Sequence, residues 1–132
     1  MSYLFDTTVA IDWSVAHPGV REVVDACFAE TDLLYTCDVV MCEALSGGTD
    51  AEREVVRRFL GALEYVAIDP DGAADAGDLR RVASRSGGHS LGDALIAALA
   101  RRLGATVVTR DAADFAAYDV PVIGYGPGAN QS

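Results

Sequence analysis

The chain has 132 residues, 51% of them hydrophobic and 23% charged, which predicts one globular domain with a real core and excludes a disordered or fibrous chain. Its 10 basic residues, all arginine, face 20 acids, for a net charge of −10. That balance argues against broad electrostatic capture of nucleic acid; it suits a partner with a basic segment and permits an enzyme that holds phosphates through bound cations.

Residues 3–6 read as a short opening strand, and Thr7 and Thr8 as caps of a helix starting near Val9. His17, Pro18 and Gly19 break it. Residues 20–30 form a second helix with Val20, Val23, Val24 and Cys27 on one face. A second strand covers 33–36, and Asp38 caps a helix carrying Met41, Glu43 and Leu45. A turn at 46–49 leads to a patterned helix over 50–63, lined by Val55, Val56, Phe59, Leu60 and Leu63. Residues 65–68 form a third strand, and 69–72 a turn into a helix that ends near 86–88.

Ser90 then caps a helix in which Leu91, Ala94, Leu95, Ala98, Leu99 and Leu103 recur at helical spacing, with Asp93 at the third position. Arg101 and Arg102 suit its negative end and Gly104 its exit. Residues 105–108 form a buried strand, Thr109, Arg110 and Asp111 follow it, and a helix begins. Residues 120–123 form a last short strand, before a loose tail. Strands alternating with helices predict a single α/β domain with a central, mostly parallel sheet flanked on both faces.

The three cysteines, Cys27, Cys37 and Cys42, include no CxxC pair and have no histidine nearby, so reduced thiols are expected rather than a zinc site. No apolar run reaches the roughly 18 residues of a membrane span, and residues 1–6 lack the regions of a signal peptide. The expected location is the cytoplasm, with no membrane partner.

Asp6, Glu43, Asp93 and Asp111 all lie at or near helix starts, several directly after strands. Each alone is explained by capping, worth ~0.3–1 kcal/mol. Together they predict convergence at the carboxyl edge of a parallel sheet, where ligands bind. Like charges held together require a proton or a cation. An all-carboxylate set selects Mg²⁺ or Mn²⁺. The chemistry that most needs such a set is phosphodiester hydrolysis, with one metal or a pair ~3.5–4 Å apart. Neutralising Asp6 or Asp93 is expected to relieve repulsion and leave stability equal or higher.

Four stretches carry a resemblance: YLFDTTVAIDW, VVMCEALSG, SLGDALIAALA and VVTRDAADF. In this order they resemble the PIN-domain nucleases, in particular the VapC-type toxins of bacterial toxin–antitoxin pairs. The resemblance implies an α/β/α sandwich over residues 1–125, with 126–132 as the tail. It implies a Mg²⁺- or Mn²⁺-dependent endoribonuclease in which Asp6, Glu43, Asp93 and Asp111 are catalytic and bind metal, with Asp114 as a further metal acid. Thr8, where the family often has Asn or Ser, and Thr109 are polar neighbours for water or phosphate. The implied partners are RNA, a cognate VapB-type antitoxin whose tail wraps the toxin, and a second copy in a homodimer. Trp13, Phe28 and Phe59 are the candidate interface anchors.

Arg85 and His89 lie close to Asp93 in sequence and are candidate substrate contacts; Arg80 and Arg81 read rather as a solvated face. Asp12 matches none of the family's acids. Two rival functions remain: a PIN-fold RNA-processing nuclease without antitoxin, and a non-catalytic PIN-like binding module. The set of acids argues against the second. A phosphoacceptor domain would want a pocket lysine, which the chain lacks, and a haloacid-dehalogenase-type phosphatase would want Asp-x-Asp where Thr7 and Thr8 follow Asp6.

Overall fold

The computed structural model describes residues 1–84 and 90–126; Arg85 and His89 lie outside these, as does the expected tail beyond Gly126. The elements are β1 (Tyr3–Phe5), α1 (Thr7–Ser14), α2 (Val20–Glu30), β2 (Leu34–Cys37), α3 (Asp38–Ala44), α4 (Asp50–Gly61), β3 (Glu64–Val66), α5 (Pro70–Ala83), α6 (Leu91–Leu103), β4 (Thr106–Thr109), a 3₁₀ helix (Ala112–Tyr118) and β5 (Val122–Gly124).

The sheet runs β3-β2-β1-β4-β5, and every pairing is parallel. The two central strands are buried throughout, as strands covered on both faces must be. Right-handed crossovers carry α1 to α4 over one face and α5, α6 and the 3₁₀ helix over the other. The packing agrees: α1 touches α2, α3 and α4, while α6 touches α5 and the 3₁₀ helix. α3 also meets α6 across the edge of the sheet. The strand order reverses direction between β1 and β4, so the crevice beyond their carboxyl ends is the expected ligand position.

Local chemistry explains the helix boundaries. The first helix starts at Thr7, two residues earlier than expected, because Asp6 is its N-cap and accepts the Thr7 N–H. α4 opens with a full capping box between Thr49 and Glu52 and ends at Gly61, short of Leu63. The turn expected at 69–72 is instead the start of α5: Asp69 caps it, Pro70 occupies its first position, and the Gly72 N–H reaches Asp69. Ser90 caps α6, and Gly104 closes it at φ 66°, in the left-handed region. Asp38 does not cap α3 but begins it, its carboxylate taking the N–H groups of Val39 and Ile68.

Leu4, Phe5, Val9, Val24, Val40, Leu60, Ile96, Val107 and Val108 form the centre of the core, with Phe115 and Tyr118 under the 3₁₀ helix. Two of the expected interface anchors are engaged within the fold. Phe59 is buried between Phe5 and Trp13, and Trp13 stacks on Phe59 at 5.3 Å while Arg21 covers its ring. Phe28 remains exposed. All three cysteines are free, Cys27 and Cys37 buried and Cys42 exposed. No helix among the described residues is long and apolar enough to cross a membrane.

Candidate active site

Asp6 follows β1, and its neighbour in the sheet is the end of β4: the Asp6 N–H continues the ladder to the Val108 carbonyl. Its side chain is buried. Oδ1 accepts the Thr7 N–H at 2.7 Å, and Oδ2 accepts the hydroxyls of Thr109 at 2.8 Å and Thr8 at 3.2 Å. Burial pushes the Asp6 carboxyl above the usual range; those three donors pull it back, and the charge of Glu43 raises it again. Thr8 and Thr109, expected as polar neighbours, are therefore the hydroxyls that present Asp6.

Glu43 comes from α3. Oε1 accepts the Thr7 hydroxyl at 2.8 Å, and the carboxylate lies against Gly92 in the first turn of α6. Asp93 is the next residue, its backbone N–H bonded to Ser90 Oγ. Burial raises the Asp93 carboxyl to about 6. The Ser90 hydroxyl opposes this, and the charges of Asp6, Asp114 and Glu43 reinforce it. Asp6 after β1, Glu43 on α3 and Asp114 on the 3₁₀ helix thus all bear on Asp93 in α6.

Of the two acids after β4, Asp114 is the one whose charge reaches Asp93. Asp111 has its N–H on Thr109 Oγ1 and its carboxylate 3.7 Å from Arg110 Nε. Asp114 lies three residues beyond Asp111, a spacing that in a continuous helix puts both acids on one face; the backbone at Asp111 is not helical, so they do not share one.

The oxygen-only donors are hard ligands and suit Mg²⁺ or Mn²⁺ by type. Yet among the described residues no three histidine, cysteine, aspartate or glutamate side chains are drawn together tightly enough to hold a metal ion. The hydrogen bonds explain the looser spacing: Asp6 is committed to two threonines and a backbone amide, and Glu43 to Thr7. Beside Glu43 lies an open, mainly apolar surface depression of about 400 Å³, lined also by Asp38, Val39, Cys42, Leu91, Gly92 and Leu95. Three participants escaped the sequence reading. Thr7 was seen only as a cap and Gly92 not at all. Asp12, set aside, is 2% exposed and bonded to Arg110 and Tyr125; its spacing of one helical turn from Thr8 was the available signal.

The sequence matches the PIN domain family over residues 3–121. No curated protein matches it. Among solved structures, it is similar to a chain of a toxin–antitoxin complex from Klebsiella pneumoniae, with 27% identity, TM-score 0.70, and coverage of 87% of this chain and 91% of that one. It is also similar to a member of the VapBC family of toxin–antitoxin systems, VapBC-5 from Mycobacterium tuberculosis, with 26% identity, TM-score 0.66, and coverage of 93% and 98%. VapBC2 from Rickettsia felis, bound to a DNA fragment from its promoter, shares the fold at TM-score 0.80 with 19% identity, covering 96% of this chain and 100% of that one.

Proposed function

The chain belongs to the PIN domain family, and from that premise we propose that it is a metal-dependent endoribonuclease, the toxin of a VapBC-type toxin–antitoxin pair. The observation that carries this reading is the match to the PIN domain over residues 3–121, together with the Glu43 carboxylate seated against Gly92, beside Asp93. Acids held in mutual repulsion at a sheet's carboxyl edge cost stability unless a cation is bound.

In this reading Asp6, Glu43, Asp93 and Asp114 would hold Mg²⁺ or Mn²⁺, drawn closer together by the cation than they stand without it, with Asp111 beside them. The cation supplies neutralisation of phosphate charge and activation of water. The chain's own residues do the positioning. Thr8 and Thr109 keep Asp6 in one rotamer, Thr7 and Gly92 set the Glu43 carboxylate, and Ser90 anchors the turn that carries Asp93. The net charge of −10 disfavours non-specific RNA binding, so recognition falls to this edge and to shape.

The similarity to toxin–antitoxin proteins favours the toxin over a processing nuclease without antitoxin. A VapB-type antitoxin and a second copy of the chain are the proposed protein partners. The test is RNA cleavage with Mg²⁺, with Mn²⁺ and with EDTA, comparing wild type and Asp93→Asn. Cleavage by wild type that needs the metal, and its loss in the variant, supports the assignment. Equal cleavage by both proteins, or cleavage unaffected by EDTA, refutes it.

A further inference from the structure

We propose that Asp12 is a positioning residue for the site: it clamps Arg110, and through Arg110 sets the Thr109 hydroxyl that presents Asp6 and the adjoining Asp111. The inference rests on the nuclease reading above and adds a residue to it.

Asp12 is 2% exposed, and a carboxylate that deep must be paired. Its Oδ1 accepts Arg110 Nη1 at 2.8 Å, and its Oδ2 accepts the Tyr125 hydroxyl at 2.6 Å. His17 Nδ1 stands 4.0 Å from Oδ2. Only the Asp12 half of the pair is buried: the Arg110 side chain is 38% exposed and reaches the carboxylate from the surface.

The Arg110 backbone N–H donates to Thr8 Oγ1 at 3.1 Å while its guanidinium donates to Asp12. Thr8 and Asp12 are one turn apart in α1 and share a face. A single helix face thus grips the same residue by its backbone and by its head. The residue before Arg110 is Thr109, whose hydroxyl donates to Asp6 at 2.8 Å. The residue after it is Asp111, whose Oδ1 lies 3.7 Å from Arg110 Nε. Fixing Arg110 therefore fixes both sides of the segment leaving β4. Tyr125 ties the segment after β5 to the same carboxylate.

The test compares wild type, Asp12→Asn and Tyr125→Phe in kcat and KM for Mg²⁺-dependent RNA cleavage, in Mn²⁺ affinity by calorimetry without RNA, and in melting temperature. Asp12→Asn keeps the side chain's shape but removes the charge that holds Arg110. The expected result is a kcat lower by about 10-fold or more and Mn²⁺ binding weakened by a comparable factor, with KM for RNA within about twofold. Tyr125→Phe keeps the Arg110 contact and removes only one donor, so it shows a smaller drop of the same kind, even if Asp12→Asn fails to fold. A lower melting temperature with unchanged kcat and Mn²⁺ affinity in both variants overturns the proposal, as does a change confined to KM. Wild type that cleaves no RNA with either metal is the distinct failure of the nuclease reading.

Discussion

The carboxylate of Glu43 rests on Gly92: a β-carbon at position 92 would stand 2.6 Å from Glu43 Oε2 and 2.9 Å from Oε1. No real side chain tolerates the shorter distance, so glycine is what lets α3 bring an acid onto the first turn of α6, beside Asp93. This contact joins helices of opposite layers at the site.

Gly92→Ala separates site geometry from stability. The atom in the way is the far end of a flexible side chain, so Glu43 moves and the backbone does not. An alanine in a helix is favoured over glycine by up to about 1 kcal/mol. The expected variant melts at the wild-type temperature or above it, yet loses roughly 10-fold or more in RNA cleavage. Thermal denaturation and cleavage measured on the same sample check this; full activity in a stable variant would show that the Glu43 position is immaterial.

Asp93 makes the metal-free protein pH-dependent. Its carboxyl titrates near 6 in the fold, against 3.8 for the unperturbed group. Between those values the folded chain holds a proton that the unfolded chain has lost. Stability therefore falls as pH rises from about 4 to about 6, and then levels off. Solvent screening at this partly exposed position limits the effect to roughly 1 kcal/mol. The check is a series of melts in EDTA across that window, with wild type losing stability relative to Asp93→Asn. Parallel curves for the two proteins would contradict the assignment.

Neutralising the two aspartates has different consequences. Asp93→Asn removes a carboxylate disfavoured by burial and by three like charges, so without metal it melts at the same temperature or higher. Asp6→Asn was expected to behave alike, but Asp6 accepts three hydrogen bonds and caps α1. Losing a fully bonded acceptor costs about 1–3 kcal/mol, so this variant melts lower. Mg²⁺ at 100 times its dissociation constant stabilises wild type by about 2.7 kcal/mol through mass action, and both variants less. Equal Mg²⁺ stabilisation of all three proteins in thermal melts would assign these acids a structural role.

The layers and most helices were legible in the sequence because their causes are local: Ser90 before α6, Gly104 after it, and the apolar stripe between. The strand ends were legible to within a residue or two. At Asp6 the same residue reads as strand or cap, and only the Thr7 N–H decides. The positions of the acids along the elements were legible, with Asp6 and Asp111 just after strands and Glu43 and Asp93 inside helices. The Asp12 clamp could not, since its partner Tyr125 is 113 residues away in a stretch that read as the edge of a loose tail. Nor could Gly92, whose role depends on how α3 meets α6. The difference between Asp111 and Asp114 depends on non-helical dihedrals at Asp111, which no periodicity reports.

The proposed antitoxin supplies the last prediction. The chain carries a net charge of −10, and among the described residues no arginine hydrogen-bonds to Asp6, Glu43, Asp93 or Asp114. An arginine from a partner segment would replace the charge of a cation there. Its planar fork bonds two carboxylate oxygens at once, which lysine's ammonium does not match. The open, mainly apolar depression beside Glu43, with exposed Leu91 on its rim, offers the flanking residues of such a segment a surface to pack against. Inhibition of RNA cleavage by the partner is therefore expected to weaken as Mg²⁺ rises, and an Arg→Ala change in the partner to cost about 2–5 kcal/mol in binding. Titrating partner against cleavage at several Mg²⁺ concentrations measures this. Inhibition that ignores Mg²⁺ would place the partner away from the acids, on the helical faces, and would leave the nuclease assignment standing.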